Sequence, residues 1–301
     1  MKCSNLTYAS YILGLLYEYG DQVEQNYEKS FIYYEKSYEQ NIKRALIKIG
    51  DHYANGKGRE KDLKKAYECY EKAAEFGIAL GFYNLGCFYE NGSGVEKNYS
   101  ISFEYYQKAS QMGNGAAFNN IGQLYENGRG VEQDYTKAFE YYQKGAEHGS
   151  AAAIKNIGVL YENGKGVKQD YAQAHEFFVR AAELGNGAAF NLIGGHYENG
   201  HCVEQDYSKA FEYYQKGAEH GSPAALKNIG RLYMNGRLVE KNYSKALEYY
   251  QKAAQMGNGA AFCNIGHMYE NGLGLKQDYS NAFEYYEKAY INGCEEGLRR
   301  I

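Results

Sequence analysis

The amino-acid sequence predicts an all-α solenoid of stacked helix–loop–helix repeats. Three observations carry that expectation: a motif that returns every 36 residues, a helical stripe of apolar residues in each copy, and glycines held to the same places in every copy. The segment Tyr-Glu-Asn-Gly begins at Tyr89, Tyr125, Tyr161, Tyr197 and Tyr269, with variants at Tyr17, Tyr53 and Tyr233. This register gives eight repeats: 5–40, 41–76, 77–112, 113–148, 149–184, 185–220, 221–256 and 257–292. A capping or truncated ninth helix is expected at 293–301, the whole of 1–301 forming one solenoid domain. One turn there is expected to bury Leu298 and Ile301 and to present charge outward.

The copy 113–148 shows how each element arises. Ala117, Phe118, Ile121, Leu124 and Tyr125 stand at i, i+1, i+4, i+7 and i+8, one face of a first helix. Gly122 follows Ile121, and a glycine recurs there in all eight copies. A mid-helix glycine costs about 1 kcal/mol against alanine, so its recurrence predicts that a neighbouring helix approaches the backbone. Gly128, after Asn127, is placed for a left-handed cap. After the loop 129–133, Asp134 starts the second helix, in a column that reads Asn26, Asp62, Asn98, Asp134, Asp170, Asp206, Asn242 and Asp278. All are side chains that accept backbone N–H bonds at a helix N-terminus. The second helix runs through Ala138, Phe139, Tyr141, Tyr142 and Ala146 and closes at Gly149, in a column of seven glycines and Asn41. One loop column departs from its rule. Gly58, Gly94, Gly130, Gly166 and Gly274 suggest a positive φ, but Gln22, Cys202 and Leu238 stand there in the other copies, so those loops differ or bear strain. A second period of 72 overlies the first, with Gly-Asn-Gly-Ala-Ala-Phe at 113–118, 185–190 and 257–262. One hairpin cannot bury both faces of its helices, and stacking supplies the core. With layers 8–10 Å apart, eight of them predict a thin body of roughly 70–80 Å contour.

Composition narrows the function. The chain has one Pro, no Trp and 35 Tyr among 301 residues, which suits long helices in thin packing where a ring is buried and its hydroxyl stays near water. The formal net charge is -4, charges alternate in sign, and no basic stripe carries interleaved aromatics, so nucleic acid is not expected as a partner. No apolar run is long enough to span a membrane, and Met1 to Gly20 fit the first repeat better than a cleavable signal. Cys3, Cys69, Cys87, Cys202, Cys263 and Cys294 fall at different places in the repeat, a pattern of free thiols and a reducing, cytoplasmic setting.

The recurring set Ala117, Ile121-Gly122, Tyr125, Gly128-x-Gly130-Val131, Asp134, Lys137-Ala138, Tyr142 and Lys144-x-Ala146 resembles the Sel-one-like repeat family, relatives of the tetratricopeptide repeats. The resemblance covers about 5–301 and repeats eight times in register. It implies a right-handed α-solenoid of tetratricopeptide type and an adaptor role, holding proteins or peptides in complexes without catalysis. The family's tryptophan in the second helix appears as Tyr142 or Phe178, a packing substitution. A tetratricopeptide array itself has a 34-residue period. Pentatricopeptide RNA readers are excluded by the Gly-x-Gly-Val loop and the missing positive charge.

Catalytic signals are weak. No phosphate-binding loop follows a strand, and no Ser-His-Asp or Cys-His set stands out, so no enzyme activity and no cofactor are expected. His52 and His196 occupy a column of Leu, Phe and Met and read as core or edge residues. His148 and His220 fall in the last turn of a second helix, where a cation suits the dipole. His196, His201 and Cys202 could bind zinc, but no fourth ligand follows at the usual spacing, so no metal is expected.

The polar side of the first helix carries the binding hypothesis. With Ile121 at the centre of the buried face, Asn119, Gln123 and Glu126 point away and Asn120 lies on the flank. In related arrays this side lines the concave groove. The Asn120 column holds Asn84, Asn120, Asn156, Asn228 and Asn264, with Ile12, Lys48 and Leu192 in the remaining copies. Such a row can pair with the backbone of an extended peptide, or each Asn can tie one helix to the next. Lys155 and Lys227 in the adjoining column place two cations roughly 20 Å apart by the layer spacing, to hold acidic groups or simply to be solvated. The expected molecule is a monomeric scaffold for a protein or peptide. The alternative is a regulatory or targeting region of a larger enzyme or signalling protein.

Overall fold

The computed structural model describes residues 8–237 and 240–300. Among them are 17 helices and no strand. The first helices are α1 (Ala9–Tyr19), α3 (Ala45–Asn55), α5 (Ala79–Asn91), α7 (Gly115–Asn127), α9 (Ala151–Asn163), α11 (Gly187–Asn199), α13 (Pro223–Asn235) and α15 (Gly259–Asn271). The second helices are α2 (Tyr27–Glu39), α4 (Leu63–Glu75), α6 (Tyr99–Gln111), α8 (Tyr135–Glu147), α10 (Tyr171–Glu183), α12 (Tyr207–Glu219), α14 (Tyr243–Gln255) and α16 (Tyr279–Ile291). A short α17 (Glu295–Arg300) follows. The chain divides into two compact units, Met1–Ala153 and Ile154–Ile301. Within each, every helix packs on its chain neighbours, as stacked hairpins require.

Local chemistry sets the helix limits. Asp134 has extended backbone and its carboxylate accepts the Lys137 N–H, and the other seven members of that column cap their helices in the same way. Several first helices carry a cap that the sequence reading left out: Asn114, Asn186, Ser222 and Asn258 each accept a backbone N–H three residues on. Gly128 closes α7 at φ 64°, and Asn41 takes the glycine role at φ 70°. In the loop column, Gln22 and Cys202 hold φ values of 60° and 54°, so these loops keep the shape of the glycine loops and bear the strain. Leu238, the third departure, lies outside the described residues, as do Ile301 and Cys3. The five described cysteines carry free thiols.

The recurring helix glycine has a specific neighbour. A Cβ on Gly122 would stand 2.5 Å from Cε1 and 2.6 Å from Cδ1 of Tyr142, whose ring reaches the backbone of α7 from α8 of the same repeat. A backbone carbonyl closes in behind the ring in other copies, such as the Ala174 oxygen at 3.0 Å from the corresponding point on Gly158. The approach is thus made chiefly by a ring. The Tyr142 hydroxyl then donates to Glu126 at 2.6 Å, and the bond recurs at Tyr106–Glu90, Tyr214–Glu198 and Tyr286–Glu270. Burial pushes these phenols far above their usual range, which keeps them protonated as donors.

The C-terminal expectation needs correction. In α17 the buried residue is Gly297, not Leu298, which is 56% exposed. Gly297 stands in the Ala117 column, and a Cβ there would meet the Tyr286 carbonyl at 2.5 Å. Close backbone contact with α16 therefore turns Leu298 outward.

Candidate functional site

The first-helix residues singled out from sequence do not share one environment. In the first unit Asn84, Asn120 and Gln123 are half-buried, whereas Asn119 is only 6% exposed. Asn119 was expected to point away from the buried face. A single-helix projection ignores the neighbouring helices, which cover the flanks of a first helix as well as its inner face. The Asn119 side-chain N–H donates to Asn120 Oδ1 at 3.2 Å, and the Asn120 amide bonds the Tyr83 hydroxyl of the preceding repeat. Glu126 also departs from a solvent-facing reading, because its carboxylate receives Tyr142.

In the second unit Asn156 and Asn228 are buried and Asn264 is half-buried. Asn156 accepts from the Lys155 ammonium. Asn228 donates through Nδ2 to Asn191 Oδ1 at 2.8 Å, tying α13 to α11. The same link between neighbouring columns of successive first helices thus joins Asn120 to Tyr83 and Asn228 to Asn191. Lys227 is half-buried, and burial first, then the Arg231 guanidinium, holds its ammonium below the usual lysine value. Arg231 itself reaches Glu198 at 2.6 Å. The face therefore brings Lys227, Arg231 and Asn264 beside the nearly buried Asn228, with Asn228 already bonded to Asn191 and Arg231 to Glu198.

A separate cluster forms where α9, α10 and α11 meet the loop after α11. His196 is 1% exposed, with His175 Nδ1 3.2 Å and Cys202 Sγ 3.6 Å from its Nδ1. Its Nε2 faces Glu162 at 3.4 Å without a hydrogen bond. The His201 ring lies against Tyr171, tilted by 38° with centroids 4.5 Å apart. Burial and the neighbouring His196 hold His175 below the usual histidine value, so its ring is neutral near pH 7. Burial first, then Asp170, pushes the Cys202 thiol up. His175 escaped the sequence reading because it lies on the preceding helix, where its column otherwise holds Phe, Tyr or Leu. His148 and His220 sit at the C-caps of their helices, just past the last turn, each with Nδ1 2.9 Å from the carbonyl oxygen four residues back.

The model of the Sel1 repeat matches eight times, at 7–42, 43–76, 83–114, 116–150, 151–186, 189–222, 223–258 and 260–294. The chain belongs to the Sel1 repeat family, whose members are generally protein-interaction scaffolds and typically non-catalytic. A Sel1 repeat protein from Oxalobacter formigenes is 31% identical with TM-score 0.70, the match covering 82% of this chain and 99% of that one. A protective antigen of uropathogenic Escherichia coli with an SLR fold is 30% identical with TM-score 0.57, covering 95% and 69%. An immunity protein of Pseudomonas aeruginosa is 25% identical with TM-score 0.57, covering 73% and 84%. Comparison with curated protein sequences finds no significant match. Among the described residues no helix is long and apolar enough to cross a membrane.

Proposed function

We propose that this protein is a non-enzymatic scaffold that binds a protein or extended peptide along its first-helix face. The observation that carries the reading is the row Lys227, Asn228, Arg231 and Asn264. Asn228 spends one N–H on Asn191 and keeps a second N–H and its carbonyl for a ligand. Tying adjacent layers and gripping a peptide backbone are therefore compatible roles for these amides. Lys227, desolvated and crowded by Arg231, gains most from an acidic group on the ligand. Asn84, Asn120 and Gln123 offer a similar row in the first unit, with Asn119 and Asn156 acting beneath the surface. We read the scaffold as a monomer of the cytoplasm that does not bind nucleic acid.

Selection of peptides from a random display library against the immobilised protein tests this. Enriched sequences should share acidic residues. Each change Asn228→Ala or Asn264→Ala should weaken binding by about 1 kcal/mol, and the pair by roughly tenfold or more. Selected peptides that bind both single variants and the double variant unchanged would refute the face.

A further inference from the structure

We propose that repeats five and six hold a divalent metal ion of zinc type, ligated by His175, His196 and Cys202, with Glu162 supporting His196 from outside. The sequence departs from its own repeat at each of these ligands. The His175 column is otherwise Phe31, Tyr67, Phe103, Phe139, Phe211, Leu247 and Phe283, and the Cys202 column is otherwise five glycines, Gln22 and Leu238. Three departures that meet within 4.8 Å of one another are a constellation and not scattered drift.

Both spacings from His196 match those of one ion, and His175 Nδ1 and Cys202 Sγ lie within 4.8 Å of each other. Zinc bonds of 2.0–2.1 Å to nitrogen and 2.3 Å to sulfur at tetrahedral angles place two nitrogens about 3.3 Å apart and nitrogen and sulfur about 3.6 Å apart. The structure has 3.2 Å between the two Nδ1 atoms and 3.6 Å between His196 Nδ1 and Cys202 Sγ. Two imidazoles and a thiol form a nitrogen–sulfur donor set that suits zinc and does not suit magnesium or calcium. Cys202 is exposed, which gives the ion a path in and leaves a fourth position for water or a ligand.

His52, at the same place four repeats earlier, is the internal control. Its Nδ1 is 2.7 Å from the Lys57 carbonyl oxygen and its Nε2 is 3.4 Å from Ser30 Oγ, so it is a satisfied core histidine. His196 has neither of those partners: its Nδ1 is within hydrogen-bond distance of His175 Nδ1 and Cys202 Sγ, and its Nε2 makes no hydrogen bond and faces Glu162 at 3.4 Å. A metal on Nδ1 fixes the proton on Nε2 and directs it at that carboxylate, the arrangement that orients metal-bound histidines elsewhere. Glu162 is free for this role because its repeat carries Phe178, which has no hydroxyl to donate, where others carry tyrosine. Binding displaces the Cys202 proton, since the thiolate is the ligand. His201, against Tyr171 and within reach of Glu162, completes the outer shell.

The test uses the full chain with Cys263→Ser in every sample, to disable the other pair of adjacent thiols, after removal of metal by a chelator. Titration with Co²⁺ should give one equivalent of bound ion with tetrahedral visible bands and a thiolate-to-cobalt charge-transfer band, displaced by Zn²⁺. Zn²⁺ should raise the melting temperature. Cys202→Gly and His175→Phe restore the residues that other repeats carry, so both should fold without metal, lose the cobalt spectrum and bind Zn²⁺ at least about 100-fold more weakly. Glu162→Gln should weaken binding about tenfold. If a consensus variant fails to fold, Cys202→Ser replaces it under the same readouts. A folded parent chain without the cobalt spectrum and without a Zn²⁺-dependent melting shift overturns the proposal. So does a spectrum that survives the substitutions of Cys202 and His175.

Discussion

At the scale of single residues, the glycine–tyrosine lock organises each hairpin. Tyr142 has no exposed surface, and its ring occupies the space that a Cβ on Gly122 would need. Two effects of opposite sign meet at this point. Alanine in a helix gains about 1 kcal/mol over glycine. Overpacking a well-filled core costs about 1–3 kcal/mol, and a ring held by Glu126 at its far end cannot swing aside cheaply. The second effect should win. Gly122→Ala is expected to lower the stability by about 1 kcal/mol in thermal or denaturant unfolding, against the helix-propensity trend. A rise in melting temperature would mean that the ring withdraws and that the glycine is kept for some other reason.

At the scale of helices, repetition made the caps and the glycine columns legible, because each position could be read eight times over. What stayed hidden were contacts between different columns. Asn119 looked outward on one helix and is covered by its neighbours. His175 sits 21 residues from His196 on another helix, and no spacing rule links them. Cys263 and Cys294 fall in different columns, yet their Sγ atoms lie 2.9 Å apart because Cys294 occupies the cap position just before α17. Burial and the adjoining thiol push Cys263 up to about 12, which makes it a poor nucleophile at neutral pH. Once formed, a disulfide there would clip α17 to α15. Closing a loop of some thirty residues should add about 3–4 kcal/mol on the loop-entropy model. Mild oxidation should therefore remove two titratable thiols and raise the melting temperature, and Cys294→Ser should block both changes. Thiols that all remain titratable after prolonged oxidation would show that α17 does not stay seated.

At the scale of the whole chain, the same capping position is filled by two chemistries that differ in one property. Asn26, Asn98 and Asn242 cap without titrating, whereas Asp62, Asp134 and Asp278 cap as carboxylates. Backbone N–H bonds, first among the causes, hold these three carboxyls below their usual range. Groups with a folded-state value below the unfolded one stabilise the fold above the unfolded value, about pH 4, and that contribution disappears as pH falls through the folded values. Asp51 and Glu35 run the other way, since burial raises both and the folded state takes up their protons more readily. Their contribution is confined to the first two repeats and works against acid unfolding there. The acid limb of stability should thus be set largely by the aspartate caps. Replacing Asp62, Asp134 and Asp278 together by Asn should leave the melting temperature near pH 7 almost unchanged, because both residues cap well. Below about pH 4 the triple variant should lose less stability than the parent chain. Amide exchange at Lys137 should accelerate on acidification in the parent more than exchange at Ile101, which sits on the asparagine cap of Asn98. Superimposable acid limbs for the two proteins would show that the aspartate caps do not set the acid sensitivity.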